Sequence, residues 1–128
     1  MEKRYVVCDT NILIEFYKGN PDIISNLHKI QKEYIALSVV TAAELIYGAI
    51  NKKELRIIEK DIQSLKVLPI TERISSHFMN LMLKYSLSHN LDLPDALIAS
   101  TAIVNGLELY TLNLKHFKYI DSLKIWSC

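Results

Sequence analysis

Two rhythms of apolar and polar positions alternate along this chain, and the switches between them lay out its elements. Arg4 to Cys8 is a short β-rich run that stops at Asp9. Ile12, Leu13, Phe16 and Tyr17 then fall at helical spacing, and Gly19 ends that helix. Asn20-Pro21 restarts one, Asn as cap and Pro in the first turn, with Ile23, Ile24, Leu27 and Ile30 on its apolar face. Tyr34 to Leu37 predicts a second strand. Ser38 to Ile50 predicts a helix with Gly48 near its end, and Glu54 to Leu65 predicts another, with Leu55, Ile58, Ile62 and Leu65 on one face. Lys66 to Leu68 is a third strand, stopped by Pro69.

Thr71 caps a long helix whose stripe is Ile74, Phe78, Leu81, Met82 and Tyr85. Phe78 and Met79 read as core, because a stripe at helical spacing is ordinarily packing. Asp92-Leu93-Pro94-Asp95 opens a further helix through Val104, closed by Asn105-Gly106. Leu107 to Thr111 is a fourth strand, Leu114 to Phe117 a helical turn, and Lys124-Ile125-Trp126 a last strand. Strands alternate with helices throughout. That predicts an α/β fold with a mainly parallel central sheet, covered by helices through right-handed crossovers.

Composition narrows this only a little. A chain of 128 residues is enough for one domain, residues 1–128, and too short for two. With 3 Gly and 3 Pro it holds little linker. The net charge of +1 decides nothing about nucleic acid, where local clusters of Lys and Arg matter. Cys8 and Cys128 make no disulfide framework, so the expected compartment is a reducing cytoplasm. Charged residues at 2–4 lead straight into a strand, so no signal peptide is expected, and no apolar run reaches the roughly 18 residues of a membrane span.

The candidate chemistry lies in acids at the starts of helices. Each has an ordinary reading. Asp9 can cap the first helix; Thr41 and Glu44 can form a capping box; Asp92 can cap while Asp95 favours the positive helix end. Their joint placement says more. Asp9 and Glu44 each follow a predicted strand and begin a helix, and in a parallel sheet such points share one edge, where α/β ligand sites lie. Asp95 also starts a helix, and Thr111-Leu112-Asn113 brings a polar amide to the same edge. Crowded carboxylates repel and raise one another's pKa. A hard divalent cation such as Mg²⁺ or Mn²⁺ relieves that repulsion, which suggests a metal-dependent phosphodiesterase. Cys8 precedes Asp9 by one residue and so faces the other side of the strand. His116, in Lys115-His116-Phe117, is near the site by its segment; a catalytic role is open to it, and a helix-surface histidine is the expectation.

Four segments stand in a telling order: Val7-Cys8-Asp9-Thr10-Asn11-Ile12-Leu13, Ser38 to Gly48, Pro94-Asp95-Ala96-Leu97-Ile98-Ala99, and Thr111 to Phe117. Together they resemble the signature segments of a PIN domain, and more narrowly the VapC toxins of toxin–antitoxin pairs. The resemblance covers essentially the whole chain. It implies a three-layer α/β/α sandwich and a Mg²⁺- or Mn²⁺-dependent endoribonuclease that hydrolyses RNA by in-line attack of an activated water. Carried over, Asp9, Glu44 and Asp95 are the metal ligands and catalytic acids. Asn113 stands where the family often has a fourth acid, which opens the question of one ion or two. Thr10, Asn11 and Thr111 become supporting polar groups.

For RNA contact, Lys115 and Lys118 near Asn113 are the candidates. Lys52, Lys53, Arg56 and Lys60 are interrupted by Glu54, Glu59 and Asp61, which reads as a solvated, salt-bridged face. The resemblance also implies a homodimer and a small antitoxin laid over apolar surface. Phe16, Tyr17, Ile46 and Tyr47 are candidates for that surface, with core burial the expectation for Ile46. A different class is a PIN-fold RNA- or antitoxin-binding module, catalytically weak because Asn113 adds no charge. A phosphoacceptor domain would need an acid pair after the first strand, where this chain has Asp9 alone.

Overall fold

The structure is a computed structural model that describes residues 3–128; residues 1 and 2, part of the charged lead-in, lie outside the described residues. The strands are β1 (Val6–Cys8), β2 (Ile35–Ser38), β3 (Lys66–Leu68) and β4 (Glu108–Tyr110). The helices are α1 (Thr10–Tyr17), α2 (Pro21–Ile30), α3 (Val39–Tyr47), α4 (Lys52–Ser64), α5 (Glu72–His89) and α6 (Leu93–Val104). All pairings in the sheet are parallel, in the order β3-β2-β1-β4.

Period-two alternation sorts the strand residues to two cores. Val7, Ala36 and Leu109 pack on one face with Leu81, Tyr85, Ala96, Ile98 and Phe117. Cys8, Leu37 and Tyr110 face the other way, against Ile12, Leu13, Ile23, Leu27 and Ile58. This is the expected α/β/α arrangement of three layers. Among the described residues no helix is long and apolar enough to cross a membrane.

Local chemistry sets the boundaries. Asn20 accepts from the amides of Asp22 and Ile23 to cap α2, and Pro21 takes its first position. Thr71 and Asp92 cap α5 and α6. The turn into β4 places Gly106 at φ +66°, where its missing Cβ avoids a steric cost.

Four expectations are corrected. The strand at Lys124–Trp126 is one parallel bridge, Leu109 to Ile125, tied by hydrogen bonds from the Leu109 amide to Lys124 and from the Trp126 amide to Leu109. Met79 is 55% exposed: it lies off the stripe that meets α6. Ile46 is 45% exposed, because Leu45 is the residue that α3 turns into the core. No ion pair ties down Lys52, Lys53, Arg56 or Lys60 among the described residues, and Asp61 instead accepts from the Tyr17 hydroxyl at 2.8 Å.

Strand order reverses at β1. The chain steps outward from β1 to β2 and β3, then returns to place β4 on the other side of β1. Open parallel sheets bind their ligands at the carboxyl ends of strands flanking such a reversal.

Candidate active site

Asp9 stands at that point. Its amide donates to the Tyr110 carbonyl at 2.9 Å, which carries the β1–β4 ladder one residue past β1. The side chain then turns inward. Oδ1 accepts from the Thr10 amide at 2.7 Å, so the capping reading of Asp9 holds. Oδ2 accepts from the Thr111 hydroxyl at 2.8 Å, across the gap between β1 and β4. Asp9 is only 5% exposed. Burial pushes its carboxyl above the ordinary range; Thr111 and the Thr10 amide pull it back, and the Glu44 charge raises it again.

Glu44 reaches this edge from α3, but not through a capping box. Ser38 is the cap of α3, accepting from the Thr41 amide at 3.0 Å, while Thr41 is fully buried. Glu44 is released from any capping duty, and its Oε1 accepts from the Thr10 hydroxyl at 2.7 Å. Thr10 also lies 3.1 Å from the Thr41 hydroxyl, and Thr41 lies 3.4 Å from that of Ser38. One hydroxyl carries one proton, so the chain has a direction. Ser38 gives to Thr41, Thr41 to Thr10, and Thr10 to Glu44. We expect Thr10→Val, which keeps the shape and removes the hydroxyl, to weaken divalent-ion affinity or RNA cleavage by about 10–100-fold, with a melting temperature close to that of the parent. Metal titration and cleavage assays on the same preparation check this.

Asp95 comes from the first turn of α6. Its amide donates to Asp92 at 3.0 Å, so Asp92 is the cap and the Asp95 carboxyl is free to point outward. Its Oδ2 lies 3.2 Å from His116 Nδ1. Burial, then the charges of Asp92 and Asp9, push the Asp95 carboxyl up to about 6, against the opposing pull of His116. His116 is exposed, as expected of a helix-surface residue, and it stands beside the site, where its place in the Asn113 segment puts it.

The supporting residues divide. Asn11 Oδ1 accepts from the Leu112 amide at 3.4 Å and links α1 to the segment after β4. Asn113 is exposed, and its amide donates to Thr111 Oγ1 at 3.0 Å. Lys115 lines a cavity of about 180 Å³ together with Asp95 and His116; Lys118 is exposed and lies outside that lining. Cys8 is fully buried, and burial holds it as the neutral thiol, so it is no nucleophile.

The residue types fit a hard cation: three carboxylates, oxygen donors only, with Asp9 destabilised as an anion by burial and the Glu44 charge, and Asp95 by burial and the charges of Asp92 and Asp9. Their arrangement is open. Among the described residues no three His, Cys, Asp or Glu side chains stand close enough to close on one ion. Glu44 is drawn toward Thr10 and Asp95 toward His116, which accounts for the splay.

The PIN domain profile matches residues 6–123. The chain belongs to the PIN domain family. Within it the relatives are VapC proteins. Ribonuclease VapC10 of Mycobacterium tuberculosis (strain H37Rv) is 37% identical over 121 residues, covering 93% of this chain and 90% of the relative. The tRNA(fMet)-specific endonuclease VapC of Salmonella typhimurium is 29% identical and covers 91% of this chain and 92% of its own. Among solved structures, the DNA-bound VapBC complex from Salmonella typhimurium superposes with a TM-score of 0.85 at 26% identity, covering 96% of this chain and 97% of that chain.

Proposed function

We propose that this PIN-domain protein is a metal-dependent endoribonuclease and the toxin of a toxin–antitoxin pair. The observation that carries the reading is the meeting of Asp9, Glu44 and Asp95 at one sheet edge. There burial, with the Glu44 charge beside Asp9 and the Asp92 and Asp9 charges near Asp95, leaves these two carboxyls poorly stabilised as anions without a cation. The names of the VapC relatives support the activity, and those of the VapBC complexes support the antitoxin partner.

Asp9, Asp95 and Glu44 would hold Mg²⁺ or Mn²⁺. Such an ion, when bound, acidifies water and neutralises charge on a phosphoryl oxygen. The protein's own groups do the positioning. Thr111 and the Thr10 amide fix both oxygens of Asp9, so this carboxylate cannot rotate away. Thr10 aims Glu44. His116 Nδ1 lies 3.2 Å from Asp95 Oδ2 and so occupies the side of the oxygen that a cation would use. Lys115 supplies positive charge beside Asp95 for the RNA backbone. Asn113 contributes a neutral amide, which favours a single tightly held ion.

The antitoxin would cover exposed apolar surface on the helices that flank Glu44. Tyr47 is 92% exposed and Ile50 82%; Ile14, Phe16, Tyr17, Ile46 and Ile57 are exposed as well. A groove lined by Ile14, Tyr17, Leu45 and Ile57 runs up to Glu44 itself. Occupancy of that groove would block the acidic edge. A homodimer acting in the cytoplasm completes the proposal.

The test is cleavage of total RNA by the purified, antitoxin-free protein with Mg²⁺ or Mn²⁺, and with a chelator. Discrete fragments that require the ion are expected. If the parent is inert with either ion and Asn113→Asp cleaves, the protein is a binding module that lacks its fourth acid.

A further inference from the structure

The cavity beside Asp95 has a second wall that the chemistry above does not use. His89 and Tyr119 lie stacked, centroids 4.0 Å apart and planes within 12°. Tyr85 braces the pair edge-on, at 5.0 Å from Tyr119 and 5.6 Å from His89. Both stacked rings line the cavity, and His89 is exposed. At about 180 Å³ the cavity is smaller than the roughly 300 Å³ at which pockets for whole small molecules begin, and it suits one planar ring.

The polar lining completes the description. Asp92 accepts one amide bond through Oδ1 and, being exposed, keeps acceptor capacity to spare. Asn90, held in the left-handed region at φ 55° as the end of α5, adds an amide on the same rim. Lys115 lines the same cavity, together with Asp95 and His116. One cavity is thus lined by an aromatic pair, a carboxylate with acceptor capacity and a cation.

We propose that this cavity is a nucleobase subsite that holds one unpaired guanine of the RNA next to the bond cleaved. Unpaired bases are read by stacking on aromatic rings and by hydrogen bonds along their Watson–Crick edge. Guanine alone among the four bases presents two adjacent N–H donors there, N1–H and the 2-amino group, which match an ionised carboxylate. Lys115 pairs with the phosphate that joins this base to the next nucleotide. The inference rests on the ribonuclease reading, and its tests separate the two.

Two measurements are made on the parent, Asp92→Asn and Tyr119→Leu. Asn replaces Asp as a helix cap with little loss, so α6 survives the first change. The first measurement sequences the ends left by cleavage of a random single-stranded RNA pool. The parent should show guanine at one fixed position beside the cut, enriched about tenfold, and Tyr119→Leu should lower cleavage at those sites about tenfold through lost stacking. Asp92→Asn should cut without that preference. Base preference is the informative readout, because altered ionisation of Asp95 would not move it. The second measurement is binding of GMP, AMP, CMP and UMP in chelator, with GMP preferred by the parent and the preference lost in Asp92→Asn.

Cleavage without a base preference, or a guanine preference that survives Asp92→Asn, overturns the subsite and leaves the ribonuclease reading intact. An inert parent that still prefers GMP through Asp92 overturns the ribonuclease reading and keeps the subsite. Neither cleavage nor GMP preference overturns both.

Discussion

Asp9→Asn is expected to reduce metal-dependent RNA cleavage by at least about 10³-fold, equivalent to roughly 4 kcal/mol of transition-state stabilisation. The same change should leave the fold intact and raise the melting temperature of the metal-free protein near pH 7.5. The local bonds explain why the fold survives. Asn keeps a carbonyl oxygen for the Thr10 amide, and its NH₂ can donate to Thr111, whose hydroxyl also accepts. The sign of the stability change follows from the titration. The Asp9 carboxyl is raised in the folded protein, chiefly by burial, and Asp95 is raised to about 6. Folded protein therefore holds these protons to higher pH than unfolded chain does. That contribution to stability is complete below the ordinary carboxylate range and is lost as pH rises, for Asp95 through about 6 and for Asp9 through its own raised value. The variant puts a neutral amide where the parent must bury the Asp9 charge. Thermal unfolding and cleavage rates on one preparation check both halves; a variant that cuts at the parent's rate would remove Asp9 from the site.

Phe117→Ala is expected to have the largest effect on stability, a loss of about 3–5 kcal/mol. For a chain of this size that lowers the melting temperature by roughly 10–20 °C. Phe117 is the largest fully buried side chain and packs in the core with Val7, Leu109 and Ile120. It also anchors the turn that carries Lys115 and His116, and its own amide bonds back to Leu114 at 3.1 Å. Loss of the ring therefore loosens one side of the acidic edge as well as the core. Urea unfolding measures it, and a loss below about 1 kcal/mol would show that the turn does not depend on this anchor.

The sheet and its helical layers were legible because the strands are short, apolar and separated by capped helices. Asn20-Pro21, Thr71 and Asp92 all act as the caps their positions suggest. Asp9 and Glu44 were legible for a topological reason: in a parallel sheet, points where strands give way to helices share an edge. Asp95 follows helix α5 rather than a strand, so only the resemblance of its Pro94-Asp95 segment tied it to the other two. What could not be read depends on contacts between distant segments. Nothing local to Thr41 distinguishes a capping residue from the middle of a hydroxyl chain that runs from Ser38 through Thr10 to Glu44. The segment of His116 puts it near the site, but only the packing of α6 shows that its partner is Asp95, at 3.2 Å. The stack of His89 on Tyr119 joins residues thirty positions apart, and no periodicity announces it. Lys124–Trp126 has β-rich composition, yet it lies beside a three-residue strand, β4, and pairs through a single bridge.

The central claim is that Asp9, Glu44 and Asp95 act together as the seat of a divalent ion. It is tested most directly by titrating Mn²⁺ into the metal-free protein and into Asp95→Asn, by calorimetry in buffers of differing ionisation heat at pH 6 and pH 7.5. The account predicts saturable binding to the parent, and proton release at pH 6 that fades by pH 7.5, because the Asp95 carboxyl, at about 6, must ionise to take up the ion. Asp95→Asn should bind more weakly by at least about tenfold. Equal affinity in parent and variant, with no proton release at pH 6, would contradict it.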